Sequence, residues 1–315
     1  MNEPGKGLVS IIILSYKNID GIFDTLKSIL RQDYPAIEVI VSDDGSPGFP
    51  EREEEIRAVA ESGRLKRVVL RHAPVNQGTV KNINGALSDA RGEYIKLLAA
   101  EDCLAEDCSV SDFVRFAEET GAGVIFARMR GVTETGEYRD ELASCESDYD
   151  LLRSYDVTKQ RNRLFKRNYL PAPAAFIRRE IFDRYGLFDE DIRLIEDYPY
   201  WIMLSNNNVL FSYLDKTEAL YRLSGVSSAG SYSEMFMKDL KVIYRKYIFP
   251  NDRRFGLMQK PYNLLKRLGL CYYTEKAKLP KRGVPGKAAF WLLFWPFELY
   301  TGAQARKVAR KNADR

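Results

Sequence analysis

"LVSIIILSYKNIDGIFDTLKSILRQDYPAIEVIVSDDGS", residues 8–46, changes its hydrophobic period twice. The run at 8–14 is short, apolar and rich in β-branched residues, the composition of a buried strand. In 20–32 the apolar residues Ile22, Phe23, Leu26, Ile29 and Leu30 recur at helical spacing, and Asp20 is placed to cap the first turn. Residues 37–43 read as a second strand, stopped by the turn-forming DDGS. Two strands joined by a helix require a crossover, so they lie parallel.

The alternation continues outward from this stretch. The spacing predicts a charged helix over 51–63, a strand in "LKRVVLRH" (65–72), a helix in "GTVKNINGALSDARG" (78–92), a strand in "EYIKLLAA" (93–100), and a helix in "SVSDFVRFAEETGAG" (109–123) followed by "VIFARM". Such repetition gives a mostly parallel, Rossmann-like α/β sheet with helices on both faces. Ligands of these sheets sit beyond the C-terminal strand ends. That rule gathers SYKN after the first strand, DDGS after the second and AED (100–102) after the fourth. From residue 131 the pattern breaks. "RGVTETGEYRDE" reads as a hairpin or loop, "VLFSYLD" and "EALYRLSG" as two strands, and the chain after Gly225 as helical.

Composition narrows the chemistry. With 315 residues, 45% of them hydrophobic and 29% charged, the chain has material for one large core or two modest ones. The net charge is +4, yet Lys276 to the end holds ten Lys or Arg against two acids, so the rest carries −4. This asymmetry argues against a nucleic-acid-binding surface. The four cysteines (103, 108, 145 and 271) have no framework spacing and read as free cytosolic thiols. One histidine, His72, leaves little room for triads built on imidazole. No P-loop is present and no GxGxxG follows the first strand, which disfavours NTPases and dinucleotide dehydrogenases. The N-terminus lacks the pattern of a signal peptide, and no run reaches the ~18–20 apolar residues that span a bilayer.

Acid–base chemistry falls mainly to carboxylates, Lys or Tyr, and the carboxylates come in pairs. Asp43–Asp44 and Glu101–Asp102 are expected at neighbouring strand tips, where hard oxygen ligands suit a divalent cation. Either pair also reads as a solvated or capped turn. Glu196–Asp197 precedes Pro199 and fits a helix N-terminus, which favours acids.

"VSIIILSYKN", "IEVIVSDDGSP", "NQGTVKNINGAL", "GEYIKLLAAED", "YGLFDEDIRLIEDYPYWIML" and "ALYRLSGVSS" stand in the order and at the spacing of family 2 glycosyltransferases, which the chain resembles from residue 8 to about 228. The resemblance implies a GT-A fold over 1–228, with a nucleotide-sugar-binding half (1–130) and a mixed acceptor-binding half (131–228), and leaves 229–315 as a helical extension with an amphipathic, basic tail. It implies transfer of a sugar, with inversion, from a nucleoside-diphosphate donor, assisted by Mg2+ or Mn2+. Tyr16, after Ser15, falls where a ring stacks on the base, although a core-edge tyrosine fits as well. Asp44 falls where a carboxylate accepts a base N–H; this favours UDP or dTDP, while guanine also offers an N–H. Asn76, Gly78 and Asn84 match the family's N-x-G…N stretch, with Lys81 near the diphosphate or ribose. Asp102 is implied as the metal ligand, and Glu101 as a ribose or metal-water contact. Asp197 is implied as the catalytic base beside Glu196. Arg222 faces the diphosphate or makes a structural ion pair.

Two positions depart from the family pattern: Ala99 stands where an Asp opens the metal motif, and Ser224 where many relatives carry His. They support a different-class alternative, a nucleotide-sugar-binding protein without transfer. The acceptor expected from the family is a surface polysaccharide or lipid-linked glycan. The aromatic and basic 287–311 suits the cytoplasmic face of a membrane, in peripheral contact with anionic lipid. The other reading of that segment is a helix docked on the catalytic domain or on a second copy in a homo-oligomer.

Overall fold

The computed structural model describes residues 5–133, 135–139, 145–223, 233–251, 268, 271–272, 276 and 285–295. The chain divides into two compact units, Met1–Ala229 and Gly230–Arg315.

The first unit alternates as the hydrophobic periods predict. β1 (Gly5–Ser15), α1 (Ile19–Leu30), β2 (Ile37–Asp43), α2 (Phe49–Glu61), β3 (Arg67–His72), α3 (Thr79–Asp89) and β4 (Gly92–Ala99) follow in order. After them come β5 (Cys103–Leu104), α4 (Ser109–Thr120), β6 (Val124–Val132), β7 (Tyr138–Arg139), α5 (Glu146–Arg153), α6 (Val157–Leu164), β8 (Ala175–Arg178), α7 (Arg179–Tyr185), α8 (Asp197–Asn206) and β9 (Phe211–Arg222). The sheet order is β3-β2-β1-β4-β8-β6-β9-β5, with β7 paired to β6. β1, β2, β3 and β4 pair in parallel, β8 runs antiparallel to both β4 and β6, and β9 is parallel to β6. Six strands, β1 to β4, β6 and β9, therefore end on one edge, and the chain enters β8 at that same edge.

Every residue of β2 is buried. A strand covered by helices on both faces needs such a run. Ile22, Leu26 and Ile29 of α1 and Phe113 and Ala117 of α4 belong to the same core cluster as Val9, Ile11, Val39 and Val41. Glu38 of β2 is a charge sealed within the sheet. Glu38 accepts bonds from Ser10 Oγ (2.5 Å), Arg67 Nη1 (3.0 Å) and the N–H of Arg91 (2.5 Å), which offset its desolvation.

Three local expectations change. Asn18, not Asp20, caps α1, its side chain accepting from Gly21 N at 3.1 Å. The stretch read as two strands at "VLFSYLD" and "EALYR" is one strand, β9; its register against β6 shifts beside Asp215–Lys216, but no Gly or Pro is present to break it. α5 and α6 occupy a polar region whose pattern predicted no element. The hairpin in "RGVTETGEYRDE" forms between β6 and β7.

In the second unit α9 (Glu234–Ile243) starts at Ser233, whose hydroxyl accepts from Phe236 N, and a π-turn Tyr244–Ile248 continues it. Residues 285–295 are helical, with Phe290 buried and stacked on Tyr272. Among the described residues no helix is long and apolar enough to cross a membrane.

Candidate functional site

At the shared strand edge the β1–α1 turn is tied to the tip of β2. Asp44 N donates to Ser15 O (2.8 Å), Lys17 N donates to Ser46 Oγ (2.7 Å), and Ser46 in turn donates through N and Oγ to Asp43 (2.7 and 2.6 Å). Asp43 is buried against His72 Nδ1 at 2.9 Å, and its bonds build the turn. Ser15 is buried and its hydroxyl reaches Asn18 O. Tyr16 is 45% exposed, its ring open beside the Lys17 ammonium at 5.1 Å.

Asp44 is buried and heavily engaged. Oδ2 accepts from Asn76 Nδ2 and Gly78 N, and Oδ1 from Gln77 N, all at 2.8 Å. The carboxylate thus shapes the loop ahead of α3, and by count Oδ1 keeps one acceptor position. Gly78 has φ +98°, and a Cβ there would lie 2.3 Å from Arg193 Cγ, so this close approach requires glycine. Arg193, inside the family stretch 185–204 but assigned no role there, donates through Nη2 to Asn76 O (3.0 Å) and Oδ1 (2.6 Å) and ties the Asn76 loop to the chain leading into α8. Asn84 serves the same junction: its amide bonds Phe188 N and O and Glu190 Oε1, a structural assignment. Lys81 is exposed and lines a groove of about 420 Å³ with Arg71, His72, Gln77 and Asn82.

At the tip of β4, Glu101 has φ +85°, rare for a side chain of this size, and strain of that kind concentrates at functional sites. Its N–H donates to Gly21 O and Thr25 Oγ1, both at 3.0 Å, and Oε1 accepts from Asn18 Nδ2 at 2.6 Å. A Cβ at position 21 would lie 2.4 Å from Glu101 Cγ, so Gly21 makes room for this carboxylate. Ala99 is exposed, the first residue of β4 after five buried ones to reach the surface.

Asp102 is 2% exposed. Oδ1 accepts from Arg222 N at 3.1 Å, and Oδ2 is buried with no hydrogen-bond partner among the described residues. Burial pushes its pKa from 3.8 up to about 7, against the N–H groups of Arg222 and Ala99 and the Lys96 charge. Lys96, an unheralded charge within "EYIKLLA", is buried, donates to the carbonyls of Pro173 and Ala175, and is pushed down to about 7 by desolvation, opposed by Glu218 and Asp102. Arg222 contributes to Asp102 through its backbone, while its guanidinium donates to Thr133 O at 3.0 Å. A buried carboxylate oxygen with no donor, next to a second carboxylate, fits a hard divalent cation. No group of three or more His, Cys, Asp or Glu lies together among the described residues, so such an ion would need oxygens from its ligand as well.

Asp197 is the first residue of α8 and Glu196 its N-cap. Asp197 Oδ2 accepts from Asn168 Nδ2 (2.9 Å) and Oδ1 from Tyr198 N (2.6 Å). Burial pushes its pKa from 3.8 up to about 6, opposed by those two bonds. A carboxylate so placed is ionised near neutrality yet basic enough to take a proton. Ser224 and residues 296–311 of the basic tail lie outside the described residues.

The sequence profile described as "Glycosyl transferase family 2" matches residues 10–186. An uncharacterized glycosyltransferase of Haemophilus influenzae is 25% identical over 292 residues, 87% of this chain and 83% of that protein. S. aureus TarS 1–349 in complex with UDP-GlcNAc superimposes with a TM-score of 0.59 at 20% identity, over 86% of this chain and 79% of that one. The mannosyltransferase PcManGT from Pyrobaculum calidifontis, in complex with GDP-Man and Mn2+, gives 0.58 at 18% identity over 96% and 85%. At these identities the structural likeness bears on the fold.

Proposed function

The chain belongs to glycosyl transferase family 2 and has the GT-A fold, and from that premise we propose that it moves a sugar, with inversion, from a nucleoside diphosphate to a hydroxyl of a surface-polysaccharide or lipid-linked glycan. The observation that carries the reading is the unpartnered Oδ2 of Asp102 at the sheet edge that also carries the Asp44 loop. The neighbours' bound UDP-GlcNAc, GDP-Man and Mn2+ support a nucleotide-sugar donor and a cation.

In this mechanism Tyr16 stacks on the base and Asp44 accepts its N–H, with Ser15, Asn76 and Gly78 shaping the pocket. Lys81 and Arg222 add positive charge on the donor side. Asp102, with Glu101 beside it, would hold Mg2+ or Mn2+, which when bound neutralises charge developing on the departing diphosphate. Asp197 takes the proton from the acceptor hydroxyl as that oxygen bonds to the anomeric carbon and the carbon–diphosphate bond breaks. One base suffices for a direct displacement. Glu196 flanks it at the start of α8, and residues 131–228 supply the acceptor side.

A thermal-shift panel of UDP, GDP, CMP and dTDP, with and without Mn2+, tests the donor side. One nucleotide, UDP or dTDP by the Asp44 argument, is expected to raise Tm, and chelation to abolish the rise. No response to any of the four would count against the proposal.

The same reading places the protein peripherally at the cytoplasmic face of a membrane. Trp291, Leu292, Leu293 and Trp295 are exposed on the helix at 285–295, and the sequence from Lys276 onward carries +8. The full chain is expected to sediment with phosphatidylglycerol vesicles and not with phosphatidylcholine ones, and Leu292→Asp with Leu293→Asp to weaken binding by about tenfold or more. Equal sedimentation of wild type and variant would remove the segment from membrane contact.

A further inference from the structure

Asn168 lies between α6 and the turn Ala172–Ala174 that leads into β8, at the sheet edge that carries the site. Its Nδ2 donates to Asp197 Oδ2 at 2.9 Å, and its Oδ1 accepts from Leu170 N at 3.3 Å. The second bond fixes which end of the amide faces the carboxylate, since the flipped amide would oppose oxygen to oxygen and nitrogen to N–H. Tyr198 N holds the other carboxylate oxygen at 2.6 Å. The two donors arrive from different parts of the chain, one 29 residues upstream and one from the helix that Asp197 begins.

We infer that Asn168 is a positioning residue for sugar transfer, clamping the Asp197 carboxylate in one orientation at the N-terminus of α8. The inference rests on Asp197 being the base. A base needs its plane fixed relative to the acceptor hydroxyl, and it needs to remain basic. A Lys or Arg at position 168 would hold the carboxylate but depress its basicity, and an acid would couple to it through like charge. A neutral amide fixes orientation with the smallest change in proton affinity. Other charges nearby are engaged elsewhere: Arg163 and Arg167 pair with Asp148, and Arg193 donates to Asn76. Tyr198 donates its hydroxyl to Leu164 O. Glu196 is the titratable neighbour on the same turn, and Lys166 the exposed cation two residues before Asn168.

The test follows release of nucleoside diphosphate from the nucleotide sugar of the best-stabilising nucleotide, with water as acceptor, from pH 5 to 9 on the full chain. Asn168→Asp is expected to move the acidic limb of kcat upward by about one pH unit or more. Asn168→Leu is expected to lower kcat about tenfold, with donor KM within about twofold of wild type. A purely structural role would lower the amount of folded protein and leave the limb in place. Melting curves identify a variant that fails to fold, and the other then carries the test. If Asp197→Asn is inactive while both Asn168 variants keep the wild-type kcat and limb, the clamp is refuted and the base stands. If Asp197→Asn turns over at the wild-type rate, the base assignment fails and the clamp with it.

Discussion

Asp197→Asn is expected to lower kcat by about 10²–10⁴-fold, the usual contribution of a general base, while leaving donor binding intact. The substitution keeps the shape of the side chain at the start of α8 and removes its capacity to take a proton. The amide oxygen can still accept from Tyr198 N, while the amide nitrogen then faces Asn168 Nδ2, whose flip Leu170 N opposes, so the bond between 168 and 197 is lost. Removing a partly buried charge relieves desolvation and offsets that lost bond, so the variant should melt within a few degrees of wild type at pH 8. Activity loss in a variant that still melts cooperatively and keeps the nucleotide-induced shift separates chemistry from folding and from donor binding. In the wild type, burial raises the Asp197 pKa to about 6, so kcat should climb through that pH as the carboxylate ionises. Turnover by the variant at the wild-type rate would end the assignment. A wild-type chain that binds a nucleotide sugar and never transfers it, to water or any glycan, would instead favour the binding-protein reading that Ala99 and Ser224 suggest.

The parallel half of the fold was legible because its strands are buried on both faces. β2 and β4 read as near-continuous apolar runs, and α1 and α4 show the complementary stripe. Alternation of two periods then leaves few topologies, and the strand-end rule draws Ser15, Asp44 and Asp102 to one edge. α5 and α6 escaped because they are short and polar; their place depends on tertiary bonds such as Gln160 to Phe211 and Tyr198 to Leu164. The N-cap of α1 was misplaced by two residues because Asn18 and Asp20 are both good caps, and Glu101 decides between them by pairing with Asn18.

Within the site, acids at strand tips were visible as residue types, while their partners were not. Asn168 meets Asp197 and Arg193 meets Asn76 across separations of 29 and 117 residues, and neither carries a local signal. Lys96 was visible as a lone charge in an apolar strand, but that it is buried follows only from the carbonyls of Pro173 and Ala175. Asp44 shows the opposite difficulty. Its position in the motif suggested a ligand contact, and its three intramolecular bonds give it first a structural task.

Asp102→Asn is expected to abolish the part of nucleotide binding that depends on Mn2+ or Mg2+. The buried Oδ2 accepts no hydrogen bond among the described residues, and an amide would replace it with a poorer ligand or a donor. If the nucleotide and cation are present at about 100 times Kd, they stabilise the wild type by about 2.7 kcal/mol, and a 100-fold loss of affinity reduces that to about 0.4 kcal/mol. For a chain of this size the change takes a Tm shift of several degrees down to about one. The ligand-free protein supplies a second readout of the same carboxylate. Its folded pKa of about 7 lies above the ordinary 3.8, so folding takes up a proton between those values. The stability this protonation provides is full below about pH 4 and is lost as pH rises through 7. Wild-type Tm should therefore fall more steeply than that of Asp102→Asn between pH 5 and 8, with Glu218 and Asp197 contributing equally to both curves. Parallel curves would mean that Asp102 is not a desolvated acid. A cation-dependent shift that survives the substitution would move the metal role to Glu101 or to the ligand's own oxygens.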